Sequence, residues 1–287
     1  MPVSGDEKRK EVIVIKADGQ REPFRREKLM ESLSRIGTPA DIVEKVVSHI
    51  ESEIMNDMST TDIYHHAFSL LRDLEKRMAV RYSLRRALIG LGPTGFPFED
   101  YIGGVFKAHG YHVEVGKIVQ GHCVPHEVDL IAYTDDKLIM GELKFHNELG
   151  YKSDLKIALY VKARMDDLKQ SSFFYGKKSR KLDEGLLLTN TKFTTTAIQY
   201  ANCAGLRLIG WNYPEKGGSL QDMIESKGLH PLSCLSSLTN KNKNDLFQKG
   251  VVLCRSLLDD SALLDSVGIR DLQKEEVLDE VRALFSA

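Results

Sequence analysis

The chain has 287 residues, 42% of them hydrophobic, and a formal net charge of −1, which suggests two domains or three small ones and gives no global basicity that would announce nucleic acid. No apolar run is long enough to span a bilayer, and the first residues lack the charged-then-apolar layout of a signal peptide, so a cytoplasmic location and no membrane partner are expected. Cys123, Cys203, Cys234 and Cys254 are scattered without a C-x-x-C pair, which argues for a reducing compartment and against structural zinc.

In chain order, Val12–Lys16 reads as a strand, Asp18-Gly19 as a tight turn and Arg21–Phe24 as a short return. Leu29, Leu33 and Ile36 mark a helix that stops at Gly37, and Thr38-Pro39 opens a second through Ile42, Val46, Val47, Ile50 and Ile54. Ser59-Thr60-Thr61 caps a third helix carrying Ile63, Ala67, Leu70, Leu71 and Leu74. A last one runs through Met78, Tyr82, Leu84 and Leu88 to Gly90.

This hairpin-plus-helices pattern over residues 1–93 resembles the ATP-cone, a regulatory domain of ribonucleotide reductases and of the repressor of their genes. The resemblance rests on Val14-x-Lys16-x-Asp18-Gly19, Glu22-x-Phe24, Lys28, Thr60-x-Asp62-Ile63 and Arg81-Tyr82. It implies that Lys16 and Lys28 hold the phosphates of ATP or dATP and that Glu22 lies near base and ribose. Val14, Asp18, Gly19 and Thr60 would complete that site. Two cations can offset part of a triphosphate's negative charge. Ala17 stands where cones often carry arginine, and Tyr64 near a frequent histidine. Cones commonly switch oligomers, so a homo-oligomer is expected. No G-x-x-x-x-G-K-[ST] loop occurs, so ATP reads as a sensed ligand rather than a fuel. The plainer alternative is a helical docking domain with ordinary surface lysines.

Gly92-Pro93-Thr94-Gly95 breaks the helix, and a second domain is expected over 94–215. A helix from Pro97 carries Phe98, Tyr101, Ile102, Val105 and Phe106, with Glu99 in its first turn, and ends at Gly110. Tyr111–Val115 reads as a strand, and Lys117–Pro125 leads to the next one. Strands at His126–Tyr133 and Leu138–Phe145 flank the polar turn Thr134-Asp135-Asp136-Lys137. Centring this hairpin on Asp135-Asp136 puts Asp129 opposite Glu142, with their Cβ atoms about 5 Å apart. Lys144 then shares their face. Opposed carboxylates repel, and a divalent cation held by hard oxygen ligands, Mg²⁺ or Mn²⁺, removes the repulsion. The same register sets Glu127 opposite Lys144, leaving an ordinary cross-strand ion pair as the alternative.

A helix around Asp154–Leu168, a buried strand Gly185–Thr189, a helix Lys192–Cys203 and a strand Leu206–Trp211 complete the region. The order helix, three strands, helix, strand, helix, strand resembles the restriction-endonuclease-like fold of the PD-(D/E)XK superfamily, its Mrr-type branch in particular. The matching pieces are Phe98-Glu99 before Gly110-Tyr111, Val128-Asp129-Leu130-Ile131, Glu142-Leu143-Lys144, and Thr189-x-x-x-Phe193-x-x-x-Ala197 before Gly205-Leu206. That likeness implies Mg²⁺ on Asp129, Glu142 and the carbonyl of Leu143, with Lys144 orienting or deprotonating water and Glu99 as an outer ligand or the holder of a second metal. The implied reaction is phosphodiester hydrolysis in DNA; an RNA target stays open, as does a nucleotide-sensing DNA-binding regulator that does not cleave.

Lys177, Lys178, Arg180 and Lys181, after Phe173-Phe174-Tyr175, form either a solvated loop or a phosphate-contacting one. His122-Cys123-x-x-His126 lacks the further ligands a zinc site needs. Past the loop 215–219, residues 216–287 read as a helical domain that caps the sheet or mediates oligomers. Within it Leu246-x-x-x-Gly250-Val251 and Leu264-x-x-x-Gly268-Ile269 resemble helix-hairpin-helix units. The expected whole is multidomain α/β (α+β): hairpin plus helical cone, central α/β/α sheet, helical C-terminus.

Overall fold

The computed structural model describes residues 12–16, 19–91, 98–148 and 150–285. The chain divides into two compact units, residues 1–83 and 84–287.

In the first unit, β1 (Ile13–Ile15) and β2 (Arg21–Pro23) pair antiparallel, with Val14 opposite Glu22. Two backbone bonds close the turn, Lys16 N–H to Gln20 O at 2.8 Å and Gly19 N–H to Lys16 O at 2.9 Å. Gly19 has φ +79°, which glycine adopts without steric penalty. Then follow α1 (Arg26–Arg35), α2 (Ala40–Glu53) and α3 (Thr60–Leu74), with α4 (Lys76–Ile89) continuing the chain. Their apolar stripes, including Leu33, Val46, Val47, Ile50, Ala67 and Leu71, meet in one core with Val14. Ser59 and Asp62 form a capping box at the start of α3. The segment before it runs along β1, with bonds Ile15 N–H to Met58 O and Asp57 N–H to Ile13 O at 3.1 and 2.8 Å.

The second unit takes in the end of α4 from Leu84 and continues with α5 (Phe98–Ala108), β3 (His112–Gln120), β4 (Pro125–Tyr133) and β5 (Leu138–Lys144). A short β6 (Lys152–Ser153) precedes α6 (Leu155–Gln170), capped by Asp154. Next come β7 (Phe173–Tyr175), β8 (Lys178–Arg180), β9 (Glu184–Thr189), β10 (Lys192–Phe193), α7 (Thr195–Ala204) and β11 (Arg207–Ile209). The main sheet has the order β11-β9-β5-β4-β3; β3, β4 and β5 are antiparallel, and β9 and β11 add in parallel. The β4–β5 ladder pairs Leu130 with Gly141 and Tyr133 with Leu138, the register expected from the turn. One face buries Ile131, Leu138, Met140 and Leu187 under α6 and α7, through Ala158, Val161, Met165, Ala197 and Ala201. Against the other lies α5, whose Gly103 sits beside Val113 and Val115, a Cβ there coming within 3.1 Å of Val115 Cγ1.

Several expectations need correction. Residues 117–120 are not a connection but the second half of β3. Lys192 and Phe193 leave the helix expected there and pair in parallel with β6; Thr194 is the actual N-cap, its hydroxyl accepting from Ala197 N–H. Lys177 to Lys181 are no open loop, because β7 and β8 form a hairpin turned at Gly176-Lys177, both at φ +62°. The helix expected from Pro97 begins, as described, at Phe98; Pro97 itself lies outside the described residues, as do Gly92–Gly95.

The C-terminal part comprises α8 (Leu220–Ser226), a 3₁₀ turn (Leu232–Cys234), α9 (Asn240–Gln248), α10 (Ser256–Asp259), α11 (Ala262–Asp265) and α12 (Asp271–Phe285). It packs on α5: Tyr101 Oη donates to Leu229 O at 2.7 Å, and His109 Nε2 lies 2.9 Å from Met223 O. The two Leu-x-x-x-Gly segments prove to be helix C-caps. Val251 N–H reaches back to Leu246 O and Ile269 N–H to Leu264 O, each at 3.0 Å, across glycines at φ +77° and +81°. That is the Schellman bond pattern with its apolar partner residues, and it accounts for the internal likeness.

Candidate functional site

The site grows from an interruption in the sheet. Below Leu130 and Gly141 the paired ladder between β4 and β5 stops. In its place the Asp129 carboxylate accepts the Leu143 N–H at 2.7 Å. One further step of the same register sets Asp129 against Glu142, on the face that carries Ile131 and Met140. Glu142 is 4% exposed. Lys144 Nζ donates to its Oε1, and Arg164 of α6 donates to its Oε2. Arg164 also donates to Glu127 O at 2.9 Å, and its guanidinium stands 4.8 Å from the Tyr160 ring centroid.

Burial pushes the Asp129 carboxyl above its ordinary range. The Leu143 N–H opposes the shift, while the charges of Glu142 and Glu99 add to it and Lys144 subtracts. Glu99, in the first turn of α5, is therefore near enough to act on Asp129. Asp129, Glu142, Leu143 and Lys144 thus stand together where the β4–β5 ladder ends, whereas Glu99 reaches Asp129 through its charge and does not form a close triad with the two acids. The cross-strand partner anticipated for Lys144, Glu127, is not used; the lysine turns to Glu142 instead.

Arg164 was not among the expected residues. It lies three positions after Val161 and four before Leu168, both buried, so a charge on the inward row of α6 was the available signal. His146 also joins the neighbourhood: its Nε2 is 3.1 Å from Ser153 Oγ, and desolvation, with the Lys144 charge second, lowers its pKa.

The basic stretch behaves differently. Arg180 donates to the carbonyls of Thr134, Asp135 and Lys137 at 2.8, 2.7 and 3.2 Å. Lys178 donates to Asp135 O, and Lys181 to Gln170 O at 2.7 Å. These three cations tie the β7–β8 hairpin to neighbouring backbone, and Lys177 is exposed at its turn. The His122–His126 segment is likewise accounted for by packing. Asp167 accepts from Cys123 N–H at 2.8 Å and pairs with His126 Nε2 at 2.7 Å. Although desolvation raises it, these partners hold the Asp167 carboxyl well below the usual carboxylate range.

In the first unit, Lys16 and Lys28 meet on Glu22, at 3.6 and 2.9 Å. The hydrogen bond from Lys28 comes first among the causes that lower the Glu22 pKa. Val14 is buried opposite Glu22, Gly19 turns the hairpin, and Thr60 opens α3 beside β1. Asp18 lies outside the described residues. Tyr64 stacks on Tyr82 with centroids 5.0 Å apart.

Two family models match separate stretches of the chain. The ATP cone domain family matches residues 12–88, and the family described as AF1548-like, C-terminal, matches residues 230–285. An uncharacterized protein of Archaeoglobus fulgidus is 35% identical over 182 residues, which is 63% of this chain and 98% of that protein. A crystal structure of a protein of unknown function, AF1548, shares 33% identity, covers 64% of this chain and 94% of its own, and superposes with a TM-score of 0.48. The class defined is a mixed α/β protein with an ATP-cone domain, a module that suggests nucleotide-responsive regulation. Within that class, the chain belongs to the family of the A. fulgidus protein and carries an AF1548-like C-terminal domain. No helix among the described residues is long and apolar enough to cross a membrane.

Proposed function

We propose that the second unit is a metal-dependent DNA endonuclease of restriction-endonuclease-like fold, and that ATP or dATP on the cone regulates it. The observation that carries this reading is the meeting of Asp129, Glu142 and Lys144 across β4 and β5, with Glu99 close by. The sheet order, three antiparallel strands extended by two parallel ones between helical layers, supports the fold assignment.

The donor set fits a hard divalent cation. Asp129 and Glu142 offer carboxylate oxygens on adjacent strands; burial first, and the Glu142 charge after it, raise the Asp129 carboxyl, and a bound cation would offset both. Asp129, Glu142 and the carbonyl of Leu143 would hold Mg²⁺ or Mn²⁺, which when bound would supply Lewis-acid stabilisation of charge on the phosphate. Lys144 places its ammonium at Glu142, where it would orient the attacking water and stabilise the charge developing on the phosphoryl oxygens. Arg164 holds Glu142 in position. Lys144→Ala should accordingly lower kcat more than it raises KM.

On the cone, Lys16 and Lys28 would exchange Glu22 for the nucleotide's phosphates, and the nucleotide would set assembly and access to the nuclease. A cytoplasmic homo-oligomer in phage defence or genome maintenance fits such a gated activity, by analogy. The boundaries we propose are a cone at 1–93, a nuclease domain at 94–215 and a helical domain at 216–287.

A second reading is a nucleotide-sensing, DNA-binding regulator without cleavage. It is favoured by the two bonds of Glu142, one oxygen taken by Lys144 and the other by Arg164, which leave that carboxylate neutralised without an ion. Assays on single- and double-stranded DNA with Mg²⁺, with and without ATP or dATP, separate the two. Cleavage that changes with nucleotide supports the first; DNA retention with no cleavage under any condition leaves the second.

A further inference from the structure

His49 and Glu53 stand one turn apart on α2, and His66 faces them from α3. Glu53 Oε1 lies 3.3 Å from His49 Nε2, and its Oε2 lies 3.3 Å from His66 Nε2. The rings of the two histidines meet edge to face with centroids 5.1 Å apart. One ligand atom from each residue lies within 4.8 Å of the other two; among the described residues this is the one such triad of histidine, cysteine or acid.

We infer that these three residues form a transition-metal site, of Zn²⁺ class, that staples α2 to α3. Two imidazoles and one carboxylate are a donor set that zinc takes readily, with the fourth position open to water or a further ligand. Imidazole nitrogen selects against the hard cation assigned to the other unit. Zinc–ligand arms of about 2.0–2.1 Å in a tetrahedron put neighbouring donors about 3.3 Å apart; each imidazole already stands 3.3 Å from a Glu53 oxygen, His49 from Oε1 and His66 from Oε2, and one donor atom from each of the three lies within 4.8 Å of the others. Rotation about the side-chain bonds of all three residues brings the two imidazole nitrogens together with one carboxylate oxygen; His49 and Glu53 are exposed, and His66 is the least exposed, at 28%. Both helices are anchored through Val46, Val47, Ile50, Ala67 and Leu71, so two of the ligands are held on one rigid element and the third on its packed neighbour. The helix-to-helix staple is independent of the nuclease reading.

Zinc uptake by the full chain, followed by competition against a colorimetric chelator, tests the site. The chain should take up one zinc ion that His49→Gln and His66→Gln each weaken by more than about tenfold, while Asp129→Asn leaves it unchanged. Cobalt substitution gives a second readout on the unmodified chain. Visible bands of a four- or five-coordinate ion should appear without a thiolate charge-transfer band, and His66→Gln should abolish them. Uptake that survives both histidine variants, a thiolate band, or no uptake at all would overturn the assignment.

Discussion

Arg164 of α6 and Lys144 of β5 take different oxygens of one buried carboxylate, Glu142, so a helix and a strand both converge on the same side chain. Glu142 has a side-chain exposure of 5% and Arg164 of 12%. Removing one partner of a buried pair leaves charge uncompensated, commonly at a cost of several kcal/mol. Lys144 remains in this case, so Arg164→Ala should destabilise the second unit by about 2–3 kcal/mol, measured by urea denaturation. A loss below about 0.5 kcal/mol would show that Glu142 does not depend on the arginine.

Asp129 makes stability depend on pH with a definite sign. Its carboxyl is raised in the folded state, chiefly by burial, so the folded chain binds the extra proton between the unfolded and folded values. Stability therefore falls as pH rises through that window, and the penalty is absent below the ordinary aspartate range and fully present above the folded pKa. Asp129→Asn keeps an acceptor for the Leu143 N–H and removes this charge. It should raise stability at neutral pH relative to the native chain, with the difference closing in acid. Mg²⁺ should stabilise the native chain at neutral pH and leave Asp129→Asn much less affected.

On the cone, the convergence of two lysines on Glu22 sets up an exchange of partners. Lys16→Ala combined with Lys28→Ala should weaken ATP and dATP binding by about a hundredfold or more, since each charged hydrogen bond contributes roughly 1.5–3 kcal/mol. Equilibrium dialysis or calorimetry reads this directly, and the metal response of Asp129 should persist in the double variant. Affinity unchanged by the pair would remove these lysines from the nucleotide site.

Glu280 holds the C-terminal domain together from inside. At 7% exposure it accepts from the N–H and hydroxyl groups of both Ser236 and Ser237. Glu280→Ala strips partners from four donors at once and should lower stability by about 2–4 kcal/mol, followed by thermal denaturation. Glu280→Gln keeps part of the acceptor set and should lose less. Equal losses from the two would show that packing, not the serine bonds, dominates.

The hairpin register was legible in the sequence because a short polar turn between two apolar strands leaves little choice of pairing. Asp129, Glu142 and Lys144 followed from it. Arg164 did not, since nothing local says that a charge on α6 will reach across to β5. The β7–β8 hairpin was hidden for another reason: its turn, Gly176-Lys177, puts a lysine at positive φ, where Asn-Gly is the readable signal. Short pairings such as β6 with β10 depend on tertiary contact and have no periodicity of their own. The likeness between the two tail segments was visible, yet only the backbone bonds of Val251 and Ile269 identify it as a repeated helix stop.

Cleavage of supercoiled plasmid DNA with Mg²⁺ tests the central claim most directly, comparing the native chain with Asp129→Ala and Glu142→Ala at matched folding by circular dichroism. The account predicts nicked or linear product from the native chain, abolished by EDTA and by either substitution. Native protein that leaves the plasmid intact across Mg²⁺, Mn²⁺, ATP and dATP, or variants that cut as well as the native chain, would contradict it.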